Sequence, residues 1–174
     1  MSSTVKVALA QVDLAVGAVS ANTAKIIDYA HRARDELQAD LVVFPELSVC
    51  GYPPEDLLFH AGLRQRTEKA VAEIRETVRG IAVLVGFPEY ADDMIYNSCA
   101  VFADGKLLGS YRKHLLPNYR VFDEERYFTA GTQPAVFRLG DVRIVMIICE
   151  DAWQPGPIEA SRRAGAEFII SIIV

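Results

Sequence analysis

Three residues of this 174-residue sequence close apolar runs at points where a reactive side chain is well presented. Cys149 follows RIVMII and opens CEDAW, Glu46 ends LVVFPE, and Lys113 follows LLGSYR. A cysteine that a buried strand delivers to a turn has free backbone N–H groups beside it. Those groups can bind an oxyanion, and the partial charge at a helix start favours a thiolate. A half-buried carboxylate has the raised pKa that general-base work needs. A lysine near the nucleophile could stabilise thiolate and tetrahedral oxyanion alike. Cysteine, carboxylate and lysine together suit attack on an unactivated amide or nitrile carbon.

Each residue also has a plainer reading. Cys149 could be a buried structural cysteine, Glu46 a solvated loop glutamate and Lys113 a solvated surface lysine. The rival arrangement is a papain-like thiol–imidazole pair using His31, His60 or His114. His31 falls mid-helix and His60 in a loop before a helix. His114 directly follows Lys113 and stays open. Cys50 and Cys99, in a loop and a strand, have no obvious activating partner and read as structural.

The elements that must position these groups follow from hydrophobic period. VKVALAQVDL reads as a strand. Ser20 to Gln38 reads as a helix, with Ile26, Ile27, Ala30, Ala33 and Leu37 at helical spacing and Ser20 or Asn22 as cap. LVVFPE is a short buried strand, and LSVCGYPPEDLL a loop broken by Gly51, Pro53 and Pro54. Leu63 to Arg79 forms a second amphipathic helix, followed by the apolar strand IAVLVGF. NSCAVFAD and KLLGSYR flank Asp104-Gly105, and AVFRL and VRIVMIIC flank Gly140-Asp141; both pairs predict hairpins. A short helix after Pro157 and the strand EFIISIIV complete the order. Apolar strands alternating with amphipathic helices indicate an α/β layer structure, and the hairpins make its sheets mixed. In open α/β sheets, sites gather at the carboxyl ends of strands. One domain is expected over 1–174.

The bulk numbers exclude several classes. Hydrophobic residues make up 51% and charged residues 24%, which argues against disorder. The net charge is −5 and no basic stripe appears, so a nucleic-acid partner is not expected. No apolar run approaches the roughly 20 residues that span a bilayer. No export signal is visible, and three widely spaced cysteines suit reduced thiols in a cytoplasm. Zinc-type Cys/His spacing is absent, so no metal is expected. The sequence stops inside an apolar strand at Val174, which suggests a fragment of something longer, with a sticky edge strand.

With these residues in view, the sequence resembles the nitrilase, or carbon–nitrogen hydrolase, superfamily. FPEL around Glu46, YRKHLLPNY around Lys113 and IICEDAW around Cys149 stand in the superfamily's order. CGYPPEDLL, KHLLPNYRVFDEERYF and CEDAW look like the N-terminal glutaminase domain of the glutamine-dependent NAD synthetase family. The resemblance implies an αββα sandwich with mixed sheets, here incomplete at the C-terminal end. It implies Cys149 as nucleophile, Glu46 as base and Lys113 as oxyanion stabiliser, helped by the Glu150 N–H. Glu124 would position the lysine and substrate, and Tyr52, Phe122 and Glu150 would line a glutamine pocket. That glutaminase reaction needs no cofactor. ATP, magnesium and deamido-NAD are implied for a synthetase domain absent from this chain, and a homo-oligomer is expected. A free-standing amidase or nitrilase, or a truncated non-catalytic association module, are the alternatives.

Overall fold

The computed structural model describes residues 4–174. Its first sheet has five strands in sequence order: β1 (Val7–Leu9), β2 (Leu41–Val43), β3 (Ala82–Ala91), β4 (Met94–Ala103) and β5 (Lys106–Arg112). β1, β2 and β3 run parallel, while β3, β4 and β5 pair as antiparallel neighbours. The second sheet centres on β7 (Val142–Ile148), with β6 (Ala135–Leu139) antiparallel on one side and β8 (Phe168–Ile172) parallel on the other. Helices α1 (Val19–Asp35) and α2 (Ala61–Thr77) cross between the parallel strands of the first sheet, and α3 (Pro155–Arg163) links β7 to β8.

Side-chain alternation along the strands makes two cores. Val42 packs with Ile26 and Ala30 of α1 and Ile74 of α2. Its neighbours Leu41 and Val43 point the other way, against Ile144, Met146 and Ile148 of β7. The first sheet is thus covered on both faces, which is why its strands read as continuous apolar runs. Ile158 of α3 packs onto the second core and completes an α–β–β–α layer order, as expected. Full burial of each such Ile or Leu contributes about 1.5–3 kcal/mol. No helix among the described residues is long and apolar enough to cross a membrane.

The predicted element order holds, with three local differences. β1 is only three residues long, because beyond Leu9 the chain leaves the sheet to reach the helix layer. Neither Ser20 nor Asn22 caps α1; Ala18 takes that position without a side-chain hydrogen bond. The buried Asn22 amide is better satisfied across loops, accepting from Ala15 N at 3.1 Å and donating to Ala15 O at 2.8 Å. β3 runs past Phe87 through Pro88 to Ala91 and turns into β4 at Asp92-Asp93, whose φ angles are 51° and 61°. Two aspartates in left-handed conformation make the same kind of hairpin as Asp104-Gly105, without the glycine that signals it.

Candidate active site

Glu46 lies three residues beyond β2, where Leu47 takes φ 50° and reverses the chain. The turn lies hard against β3: a Cβ on Gly86 would come within 2.5 Å of the Leu47 nitrogen. Only glycine lets the two backbones approach so closely. Lys113 immediately follows β5, held by Lys113 N donating to Asn97 O and Gly131 N donating to Lys113 O, both at 2.8 Å. Cys149 is the first residue after β7. Its φ of 44° is in the left-handed region, an uncommon place for a side chain other than Gly, Asn or Asp. The strand breaks there into a single 3-10 turn over Cys149–Ala152, ahead of α3.

These bends bring the three groups together. Lys113 is almost wholly buried, at 1% exposure, yet its Nζ lies 2.7 Å from Glu46 Oε1 and 2.8 Å from Glu124 Oε2. A buried cation needs such partners. Desolvation opposes its charge, but Glu46 and Glu124 outweigh this and hold the ammonium above the ordinary lysine range. The two carboxylates leave one negative charge in excess. Glu124 is accordingly raised, by burial first and by Glu46 as well, against the pull of Lys113. Asn97 Nδ2 also donates to Glu46 Oε1, at 2.7 Å.

Cys149 is partly exposed, and its thiol lies within electrostatic reach of the Glu46 carboxylate and of Lys113. Burial first, then Glu46, pushes the thiol up to about 11. Cys149 therefore rests as a thiol rather than a thiolate. The arrangement instead suits transfer of the thiol proton to Glu46 as the sulfur attacks, with Lys113 set beside the carboxylate to receive developing negative charge.

Of the other sequence candidates, Tyr52 touches this cluster, and Glu150 and Phe122 meet Tyr119. Tyr52 donates its hydroxyl to Glu124 Oε1 at 3.3 Å. Glu150 accepts from Tyr119 Oη at 2.9 Å, and Phe122 meets the Tyr119 ring edge-on at 5.8 Å between centroids. Tyr52 and Glu124 line a cleft of 340 Å³, while Tyr119 and Glu150 line another of 590 Å³. A third cleft, of 360 Å³, lies at the opposite strand ends near Asp40 and Asp104, remote from the cluster. His114 packs its ring on Tyr111 and places Nε2 3.1 Å from Gln133 O, an arrangement that gives the papain-like alternative no support. Cys50 and Cys99 are fully buried, with burial pushing both thiols up, Cys50 to about 12.

Two functional-looking residues escaped the sequence reading. Asn97 is one, and its signal was a polar residue at an inward strand position alternating with Cys99 and Val101. Asp151 is the other. Fully buried, it accepts from Tyr111 Oη at 2.8 Å, Ile148 N at 3.2 Å, His114 N at 3.2 Å and Leu115 N at 2.9 Å. It thereby ties the turn bearing Cys149 to the segment bearing Lys113. Its signal was an acid at the third position of a helical turn, reaching back to the turn's start.

Comparison with known proteins places the chain by family and by fold. The carbon-nitrogen hydrolase family profile matches residues 6–173. The glutamine-dependent NAD(+) synthetase of Xanthomonas campestris pv. campestris is 44% identical over 169 residues, 96% of this chain and 31% of that protein. The Thermotoga maritima enzyme of the same name is 41% identical over 162 residues, 92% of this chain and 28% of that protein. The chain thus spans about a third of the length of the curated relatives it matches. Among solved structures, the glutamine-dependent NAD+ synthetase of Acinetobacter baumannii superimposes with a TM-score of 0.93 at 42% identity, over 97% of this chain and 32% of that one. An amidase from Nesterenkonia sp. shares the fold, with a TM-score of 0.86 at 24% identity over 97% of this chain and 64% of that one.

Proposed function

The chain belongs to the carbon–nitrogen hydrolase family, and from that premise we propose that it is the glutamine-hydrolysing part of a longer glutamine-dependent NAD(+) synthetase. The observation that carries this reading is the buried Glu46–Lys113–Glu124 cluster facing a left-handed Cys149. The similarity to NAD(+) synthetases, at up to 44% identity, supports glutamine as the amide donor over the simpler amides of a free-standing amidase.

Cys149 Sγ attacks the side-chain carboxamide carbon of glutamine as its proton passes to Glu46. The carbonyl oxygen becomes an oxyanion held by Lys113 Nζ and the Glu150 N–H. Glu46 then gives its proton to the amide nitrogen, the C–N bond breaks and ammonia leaves. A water, deprotonated by Glu46, attacks the resulting thioester and releases glutamate and the thiol. Burial keeps Lys113 and Glu46 fixed before charge develops, so little reorganisation is needed at the moment of reaction. Glu124 anchors Lys113 from the far side, and Tyr52, Phe122 and Glu150 would orient the substrate. ATP, magnesium and deamido-NAD would be bound by the rest of the longer protein, where ammonia is consumed.

The test is ammonia and glutamate release from glutamine by the full-length protein, with Cys149→Ala as comparison. Cys149→Ala should abolish glutamine-dependent NAD formation, a loss of about 10⁴-fold or more, and leave ammonia-dependent formation intact. Loss of both activities together in a folded variant would refute the assignment.

A further inference from the structure

We propose that Asn97 is a positioning residue for the Glu46 base, fixing which carboxylate oxygen faces the Cys149 thiol; this rests on the glutaminase reading above. Asn97 sits on β4 opposite Pro88 of β3 and is completely buried. Its backbone and side chain serve different members of the cluster. The Asn97 carbonyl accepts from Lys113 N at 2.8 Å, and Nδ2 donates to Glu46 Oε1 at 2.7 Å. An amide facing a carboxylate must present its NH₂ group, so the orientation of this side chain is determined by its partner.

That orientation has a cost. Among the described residues, Asn97 Oδ1 is buried without a hydrogen-bond partner. A buried unsatisfied acceptor costs about 1–3 kcal/mol. The same inward face of β4 carries Cys99 and Val101, which pack without such a cost. A leucine at position 97 would remove the orphan acceptor and leave Lys113 N its backbone partner. What it would lose is the second donor on Glu46 Oε1.

The second donor matters because the last torsion of a glutamate is broad and nearly two-fold. Lys113 alone fixes a distance to the carboxylate. Lys113 and Asn97 together, each 2.7 Å from Oε1, fix its plane. Oε2 is then the oxygen left to take the thiol proton. The groups that act electrostatically around Glu46 are Lys113, Glu124, Cys149, Tyr52 and Cys99. Against that background, Asn97 contributes a neutral donor that favours the ionised carboxylate.

The experiment uses the full-length protein with Asn97→Ala and the near-isosteric Asn97→Asp. Glutamine hydrolysis is followed, and the Glu46 carboxylate band is read by difference infrared spectroscopy with Glu46→Gln as blank. Asn97→Ala should lower kcat by about tenfold to a hundredfold with KM within about twofold, the scale of a misplaced catalytic group. The Glu46 carboxylate band should move in Asn97→Ala, where a hydrogen-bond donor is lost, and further in Asn97→Asp, where a like charge faces the base. An unmoved carboxylate band in both variants overturns the proposal, as does a change confined to KM. Wild-type protein that releases no ammonia would instead defeat the glutaminase reading, and the carboxylate band would still decide the role of Asn97.

Discussion

A thiol raised to about 11 and set beside a carboxylate ionises only as its proton moves to that carboxylate. At neutral pH only roughly one such thiol in ten thousand is ionised on its own. In the proposed reaction, Cys149 depends on Glu46 as base and also suffers from Glu46 as a like charge. Replacing Glu46 by glutamine separates the two effects. Removing the carboxylate removes one cause of the raised thiol pKa, so iodoacetamide alkylation of Cys149 should shift to lower pH. Glutamine hydrolysis should meanwhile fall by about a thousandfold or more, because no group remains to carry the proton. An alkylation profile displaced to higher pH would contradict the electrostatic account. At this scale the sequence made Glu46, Lys113 and Cys149 visible, since each ends an apolar run. It did not disclose the state of the thiol, which depends on a desolvation that only the packed structure supplies.

At the scale of elements, the Glu46 and Lys113 segments are placed by two close backbone approaches. The bend after β2 needs Gly86, and the segment after β5 needs Gly131, where a Cβ would collide with the Arg112 carbonyl oxygen. Both glycines lie far in sequence from the residue they position, so no local pattern points to them. The Gly86→Ala variant should displace Glu46, costing about 1–3 kcal/mol of stability and about ten- to a hundredfold in glutamine hydrolysis. Gly156→Ala is the control, because an added Cβ there meets no atom within 4 Å. Equal activity of the two variants, measured beside urea unfolding, would show that the close approach at Gly86 does not position the base. The strands and helices themselves were legible because their apolar period is strong. The Asp92-Asp93 hairpin was not, since aspartates taking left-handed backbone without a following glycine give a weak turn signal.

Across the whole molecule, the candidate site is divided between two sheets. Glu46 and Lys113 extend from strands of the first, and Cys149 from the central strand of the second. Asp151 is the polar tie between them, receiving one donor from β7 and three from β5 and the segment after it. Truncating it to alanine would strand those donors in a buried place. The Asp151→Ala variant should lose at least about 3 kcal/mol, as three or four hydrogen bonds at about 1 kcal/mol or more each imply, measured by urea unfolding. A cost near zero would show that the tie carries no load. The division has a kinetic corollary. In the proposed reaction, the proton that leaves Cys149 for Glu46 crosses a packing seam rather than a covalently continuous element, which would make turnover a gauge of sheet-to-sheet docking. A rising urea concentration that first loosens the seam should extinguish hydrolysis while far-ultraviolet circular dichroism still records intact strands.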